Sequence, residues 1–336
     1  MRIAVDGMGG DHAPVEIVKG CVHAISELDI EILLLGKKDV LELELAKYQF
    51  DKGKIHIQHT NEVISNDDKP VQAIRRKTES SMVVGLDMVK NKEVDAFISA
   101  GNTGALLAGS LFRVGRIKGI DRPAIGAPYP TKKGISLLVD AGANAECKPR
   151  NLMEFSLMGI IYVEKVLGRS NPKVGIVNIG SEEEKGNQLV KDSSELLSQK
   201  CRGFVGSVEA REIPKGIVDV IVCDGFVGNV ILKLTEGVAM SMFSMMKEQF
   251  QKKLKYKLGA IILKPAFREF KKSLDYTEYG GAPLLGVNGV VIKAHGSSNG
   301  KAIKNAIRQA VSFVQNDVVE LIKNEISKTG DEYLGE

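Results

Sequence analysis

Short apolar runs alternate along this chain with longer segments whose apolar residues recur at helical spacing. Residues 3–5 read as a strand, and Pro14 suits the first turn of a helix that reaches about residue 26. Residues 31–35 and 54–59 read as strands, with a helix over 38–48 between them. Pro70 opens a helix predicted to run to residue 91, and residues 94–98 form a buried strand followed by a helix over 106–112. Further strands are predicted at 134–139, 173–178, 218–223 and 290–293. Helices are expected at 151–167, after the glycine-rich stretch to 198, from about 229 to 250, and at 300–326.

This alternation predicts an α/β fold with a mostly parallel sheet and helices on both of its faces. In such sheets the active site lies beyond the carboxyl ends of the strands. Polar, glycine-rich clusters fall at those ends repeatedly: residues 6–12, 99–104, 140–144, 179–187, 224–229 and 295–298. The second is the most informative. Gly101 and Gly104 sit at a strand-to-helix turn, with Asn102 and Thr103 as side-chain donors. Unpaired N–H groups and the positive end of a helix dipole there suit an anion, phosphate above all. A tight βα turn that uses Gly and Asn for their backbone freedom reads the same way. With no long linker and no internal repeat, residues 1–336 are expected to form a single domain.

Composition narrows the chemistry. The chain has 336 residues, 43% hydrophobic and 26% charged, as in ordinary soluble globular proteins. A net charge of +4 is too small to argue for nucleic acid, and the absence of Trp leaves no base-stacking platform to propose. Cys21, Cys147, Cys201 and Cys223 are scattered, which argues against a zinc site or a disulfide framework and fits a reducing cytoplasm. Neither a signal peptide nor an apolar run near the ~18 residues of a membrane span is apparent. Residues 7–12 do not form GxGxxG, and no GxxxxGK[ST] occurs, so no nucleotide cofactor is expected, nor any other cofactor or metal.

Residues 247–275 break the alternation. Between Lys247 and Lys272 the chain places nine basic residues against two acids. Phe250, Leu254, Leu258, Ile261 and Ile262 recur at helical spacing, which predicts a basic amphipathic helix interrupted near Gly259 and at Pro265. Such a protrusion fits a core-packed surface helix with a solvated lysine face, an anionic membrane, an acidic protein partner or a dimer contact. Lys253, Leu254, Lys257, Leu258 and Ile261 are the candidate contact residues.

Taken together, the motifs are specific. They are Asp6 to Asp11 (DGMGGD), Ser99 to Ala105 (SAGNTGA), Asp140 to Asn144 (DAGAN), Asn178 with Lys185, Asp224 to Asn229 (DGFVGN), Tyr279 to Gly286 (YGGAPLLG) and His295 with Gly296. In order and over nearly the whole chain, they resemble the bacterial phosphate acyltransferases, the acyl-carrier-protein:phosphate transacylases of phospholipid synthesis. The resemblance implies a Rossmann-like αβα sandwich similar to the isocitrate dehydrogenase and phosphotransacetylase group. It also implies a homodimer that is cytoplasmic but peripherally attached to the membrane. The implied reaction moves a long-chain acyl group from acyl carrier protein to inorganic phosphate. A membrane glycerol-3-phosphate acyltransferase takes the product.

That chemistry needs both reactants held in line, an oxyanion stabilised and a thiolate protonated. Phosphate is expected at Ser99, Gly101, Asn102, Thr103 and Gly104, with Lys185 as a second phosphate or oxyanion contact. His295 is the candidate acid, and Asn144 and Asn229 are candidate oxyanion donors. Asp6, Asp11, His12, Asp140 and Asp224 are expected to line the site, although Asp6, Asp140 and Asp224 equally suit helix caps or turn staples. Lys185, beside three glutamates, also suits a solvated surface position. A covalent route through Cys223 is disfavoured, because a strand-end Cys is usually buried. Rival readings are a short-chain phosphotransacylase using coenzyme A, a non-catalytic scaffold, and a decarboxylating dehydrogenase.

Overall fold

The first apolar run forms β1 (Arg2–Asp6), buried continuously from Ile3 onward. Burial of consecutive residues marks a strand covered on both faces. In the computed structural model, which describes residues 1–182, 184–274 and 278–333, β1 lies inside a seven-stranded sheet. β2 (Glu31–Gly36) and β4 (Ala96–Ser99) flank it in parallel, and β3 (Ile55–His59) lies beyond β2. Beyond β4 come β12 (Val290–Lys293), β11 (Ala282–Leu285) and β5 (Ala124–Ile125), with β11 antiparallel to both neighbours. A second sheet has the order β6 (Ala127–Thr131), β7 (Gly134–Val139), β10 (Val220–Val222), β8 (Val174–Asn178), β9 (Phe204–Glu209). There β6 is antiparallel and the rest are parallel.

The mostly parallel α/β class therefore holds, built as two sheets rather than one. Gly126 alone separates β5 from β6, so the chain crosses between sheets at that residue. Its N–H donates to Pro283 O at 3.0 Å. β5, β6 and β11 escaped the sequence reading because the first has two residues and the other two carry prolines, which demote a strand expectation. The sheets share their core: one apolar cluster joins Ile3, Ile32 and Ile98 to Leu137, Val174 and Val220.

Helices cover both sheets. α1 (Val15–Ile25) packs on α10 (Gly300–Gln315), and α2 (Lys38–Leu45) follows β2. The helix predicted over 70–91 is two, α3 (Pro70–Arg76) and α4 (Ser81–Lys90). Ser80 Oγ caps the second by accepting from Val83 N, and Lys77 turns back to Asp68 at 2.6 Å. α5 (Thr103–Gly109) continues through a π turn to Val114. α6 (Pro149–Lys165) is buried through most of its length, and α7 (Gln188–Lys200) packs on it. The last predicted helix divides at Asp317, whose φ of 49° is left-handed, into α10 and α11 (Val318–Tyr333).

α8 (Gly225–Gln251) and α9 (Leu254–Leu274) form a helical hairpin. The break falls at residues 252–253, not near Gly259 or Pro265 as expected. Pro265 removes one backbone bond from α9. Beyond it, two ring contacts hold the helix to α8: Phe250–Phe267 at 5.3 Å and Phe243–Phe270 at 5.8 Å. α9 does not pack as a core-covering surface helix, since Leu254 and Ile262 are 75% and 78% exposed. Lys253, Lys257, Leu258 and Ile261 are exposed as well. Contrary to expectation, α8 meets the requirement for a membrane-crossing helix by length and composition, with a mean hydropathy of 1.3 over 18 residues.

Candidate active site

The carboxyl ends of β1, β4 and β12 meet, and Asp6 is the residue that ties the first two together. Its buried carboxylate accepts from Ser81 Oγ at 2.6 Å, Ser99 Oγ at 2.7 Å and Met8 N at 3.1 Å. Ser99 Oγ in turn accepts from Gly101 N at 3.0 Å. A Cβ at Gly9 would come within 2.4 Å of Asp6 and 2.8 Å of Gly101 N, so the first turn needs glycine to approach the second. Asp11 N donates to Gly296 O at 2.8 Å, and Ala294 N to Ser99 O at 2.9 Å, which joins the β12 turn to both.

Beside these turns lies a cavity of about 160 Å³. Its polar lining is Thr103, Asn229, Glu236, Lys293 and His295. Its apolar lining includes Ile125 and Pro128 from the sheet crossover and Leu232 from α8. The cavity therefore collects residues from both sheets and from the root of the hairpin. Thr103 and Gly104 open α5, and their N–H groups have no partner among the described residues, as expected for a first helical turn.

Lys293 ends a strand that is buried at every position, and it is itself 9% exposed. Its ammonium donates to Ala100 O at 3.4 Å and to Ala294 O. Burial lowers its pKa to about 8; Asp6 and Asp11 oppose the fall and Lys233 adds to it. His295 Nδ1 accepts from Ser297 N at 3.2 Å, so the ring proton belongs on Nε2. Burial is the main cause that pulls the pKa of His295 below its ordinary value. Glu236 and Asp11 oppose that shift, while Lys293 and Lys233 reinforce it. A neutral Nε2–H is a hydrogen-bond donor and a poor proton source at pH 7.

The profile of a family described as "Fatty acid synthesis protein" matches residues 1–321. A phosphate acyltransferase of Alkaliphilus oremlandii is 62% identical over 332 residues, covering 99% of both chains. One of Clostridioides difficile is 55% identical, covering 99% of this chain and 98% of its own. The chain belongs to the phosphate acyltransferase family. At the level of fold, a phosphotransacetylase from Streptococcus pyogenes superposes with a TM-score of 0.64 at 15% identity, covering 94% of each chain. A branched-chain phosphotransacylase from Enterococcus faecalis gives 0.58 at 12% identity, covering 94% of this chain and 99% of its own.

For this phosphate acyltransferase family member, the structure brings together Thr103, Asn229 and His295 of the expected site residues and assigns others to the scaffold. Asn102 is not available as a phosphate donor. Its Oδ1 caps α5 by accepting from Ala105 N at 2.9 Å, and its amide donates to the carbonyls of Ser65, Asn66 and Asp68 at 3.2–3.3 Å. Ser99 and Gly101 N are likewise committed to the turn. Asn144 is not an oxyanion donor, because its amide donates to Pro123 O at 2.8 Å and Asp140 Oδ2 at 2.9 Å. Asp140 staples the β7 turn: it accepts from the N–H groups of Ile125, Gly142, Ala143 and Asn144 and from the Asn144 amide. Burial raises its pKa, against those donors. Asp224 caps α8 by accepting from Val227 N at 2.8 Å.

Lys185 is exposed and paired with Glu182 at 2.6 Å, and it does not line the cavity. That carboxylate raises its pKa. Asp11 stands outside the lining, with Asn66 donating to it at 3.5 Å, and acts on Lys293 and His295 through its charge. His12 is exposed and does not line the cavity. Cys223 is buried against Asp140 O, and burial raises its pKa well above the ordinary thiol value, so no thiolate is available for an acyl-cysteine route. The sequence reading missed Lys293 and Glu236. The signal for Lys293 was present, as a lysine closing an otherwise apolar strand two residues before the expected His295.

Proposed function

We propose that this chain transfers a long-chain acyl group from acyl carrier protein to inorganic phosphate, giving acyl phosphate for phospholipid synthesis. The observation that carries this reading is the buried Lys293 facing the same cavity as Thr103, His295 and Asn229. The Lys293 ammonium and the open N–H groups of Thr103 and Gly104 hold phosphate. A phosphate oxygen attacks the thioester carbon; the new C–O bond forms and the C–S bond breaks, with its electron pair leaving on sulfur. His295 Nε2–H and the Asn229 amide donate to the developing oxyanion. Lys293 delivers a proton to the departing thiolate, and the proton released from the newly formed acyl phosphate restores it. A thiol pKa of roughly 8.5 lies close to that of Lys293, so this transfer is nearly balanced.

The whole chain acts as one acyltransferase unit, with the hairpin as its protruding part. Lys253, Lys255 and Lys257 on and before α9 offer charge complementary to an acidic carrier. The outward Leu254, Leu258 and Ile262 suit a membrane surface, where the product meets a glycerol-3-phosphate acyltransferase. Exposed Val230, Leu234 and Val238 of α8 suit a second copy of the chain in a homodimer. The enzyme is then cytoplasmic and peripherally attached.

The deciding experiment incubates the protein with palmitoyl-acyl carrier protein, with and without phosphate, and traps product with hydroxylamine. Phosphate-dependent acyl hydroxamate is expected. Its absence, beside an active relative run in parallel, overturns the reading. Faster turnover of acetyl-coenzyme A would assign the chain to short-chain chemistry instead.

A further inference from the structure

The reaction cavity and a second, larger cavity lie on the same face of α8. Asn229, Leu232 and Glu236 line the first; Phe243, Met246 and Phe250 line the second. Half-buried Ala239 falls between the two sets. The steps from 229 through 232, 236, 239, 243, 246 and 250 alternate three and four residues, which keeps every member on one stripe of a helix. Up to Glu236 the stripe is polar or mixed; beyond it, Ala239, Phe243, Met246 and Phe250 are wholly apolar.

The second cavity is a groove of about 440 Å³ between α8 and α9, with Ala260, Ile261 and Phe267 on its far wall. Both arms of the hairpin are rooted at the reaction cavity. α8 leaves it at Asn229, α9 packs against β6, and Gly280 and Gly281 just after α9 line the cavity again. We propose that the fatty acyl chain leaves the reaction cavity along this face of α8 and enters the groove between α8 and α9, with its terminal carbons near Phe243. This rests on the acyl-transfer reading above and adds the path of the chain.

Dimensions and charge support that occupant. Phe243, at the near end of the groove, lies fourteen residues beyond Asn229, or about 21 Å along the helix axis. A sixteen-carbon acyl chain, fully extended, spans about that distance, whereas an eight-carbon chain ends well short of the groove. Ala239, the smallest side chain on the stripe, stands between the two cavities. The groove volume falls within the range of ligand sites. Lys247, Lys257, Lys264 and Arg268 also line the groove. Their aliphatic stems extend its apolar surface while their charges stay in water. Each methylene that enters should raise kcat/KM by about fourfold.

The test uses the full chain with octanoyl-, myristoyl- and palmitoyl-acyl carrier protein in the phosphate-dependent hydroxamate assay. Ala260→Phe fills the groove and should cut kcat/KM for palmitoyl at least about tenfold while leaving octanoyl within about twofold. Equal loss for all three donors, or no change for any, overturns the proposal. A second measurement does not depend on turnover or on the variant folding. A palmitoyl donor with a terminal diazirine, photolysed on the unaltered protein, should label residues 243–267. Label elsewhere overturns the chain path, and the groove then belongs to a second copy or a membrane. Label in the groove without phosphate-dependent product would keep the path and remove the proposed reaction.

Discussion

Lys293 on β12 stands in register with Ser99 on β4, and both lead back to Asp6. Ser99 Oγ donates to the Asp6 carboxylate at 2.7 Å, and the charge of the same carboxylate favours the Lys293 ammonium. The turn expected to bind phosphate through its own side chains is thus a frame. It leaves the N–H groups of Thr103 and Gly104 open and places a buried cation beside them.

Lys293→Met should exchange activity for stability. The folded pKa of Lys293, about 8, lies below the unfolded value near 10.5. The charged form is therefore disfavoured on folding, and the penalty is fully present below pH 8. It fades as the pH rises from 8 to about 10.5, above which neither state is charged. A shift of this size corresponds to about 3 kcal/mol. At pH 7 the Met variant should unfold at higher denaturant, and the gain should shrink toward pH 10. Turnover should fall by at least about 10²-fold. A destabilised variant with normal turnover would return Lys293 to the core.

The same lysine sets the alkaline limb of the rate. With its ammonium needed for phosphate and for the leaving thiolate, kcat/KM for phosphate should decline above about pH 8, the value for the free enzyme. Lys293→Arg stays charged throughout. Whatever activity it retains should show no such decline. An alkaline limb that persists in the Arg variant would assign the titration to another group.

Asn102, expected as a phosphate donor, braces the turn instead. Asn102→Ala removes the α5 cap and the hold on residues 65–68, so it should cost about 1–2 kcal/mol in a denaturant titration. Turnover at saturating phosphate should stay within about threefold. Loss of about 10²-fold in kcat/KM for phosphate with unchanged unfolding would restore a direct role.

Periodicity made the α/β class legible, because buried parallel strands are continuous apolar runs and their glycine-rich ends stand out. The division into two sheets was not, since it turns on Gly126 and on proline-bearing strands with weak local signals. Within the site, residue type located the turns but not their duties. Asn102 and Asn144 carry the amide donors that an anion site needs, and nearby carbonyls and the Asp140 carboxylate consume them. Lys185 sat in a motif yet faces solvent beside Glu182. Lys293 sat in none; its place at the end of an apolar strand marks it, but the local sequence does not say whether it points inward.

The outer face of α9 separates membrane attachment from catalysis. Leu258 is 57% exposed and does not line either the groove or the reaction cavity. Leu258→Glu places a carboxylate on the face that would enter an anionic bilayer, where it adds repulsion from lipid charge to the loss of apolar contact. Co-sedimentation with liposomes containing anionic lipid should be lost, while turnover in solution and the unfolding midpoint stay near those of the unaltered protein. Loss of all three together would mean that Leu258 packs within the assembled protein. Retained liposome binding would move the membrane contact to the exposed face of α8, where Met240 and Met245 are the next residues to change.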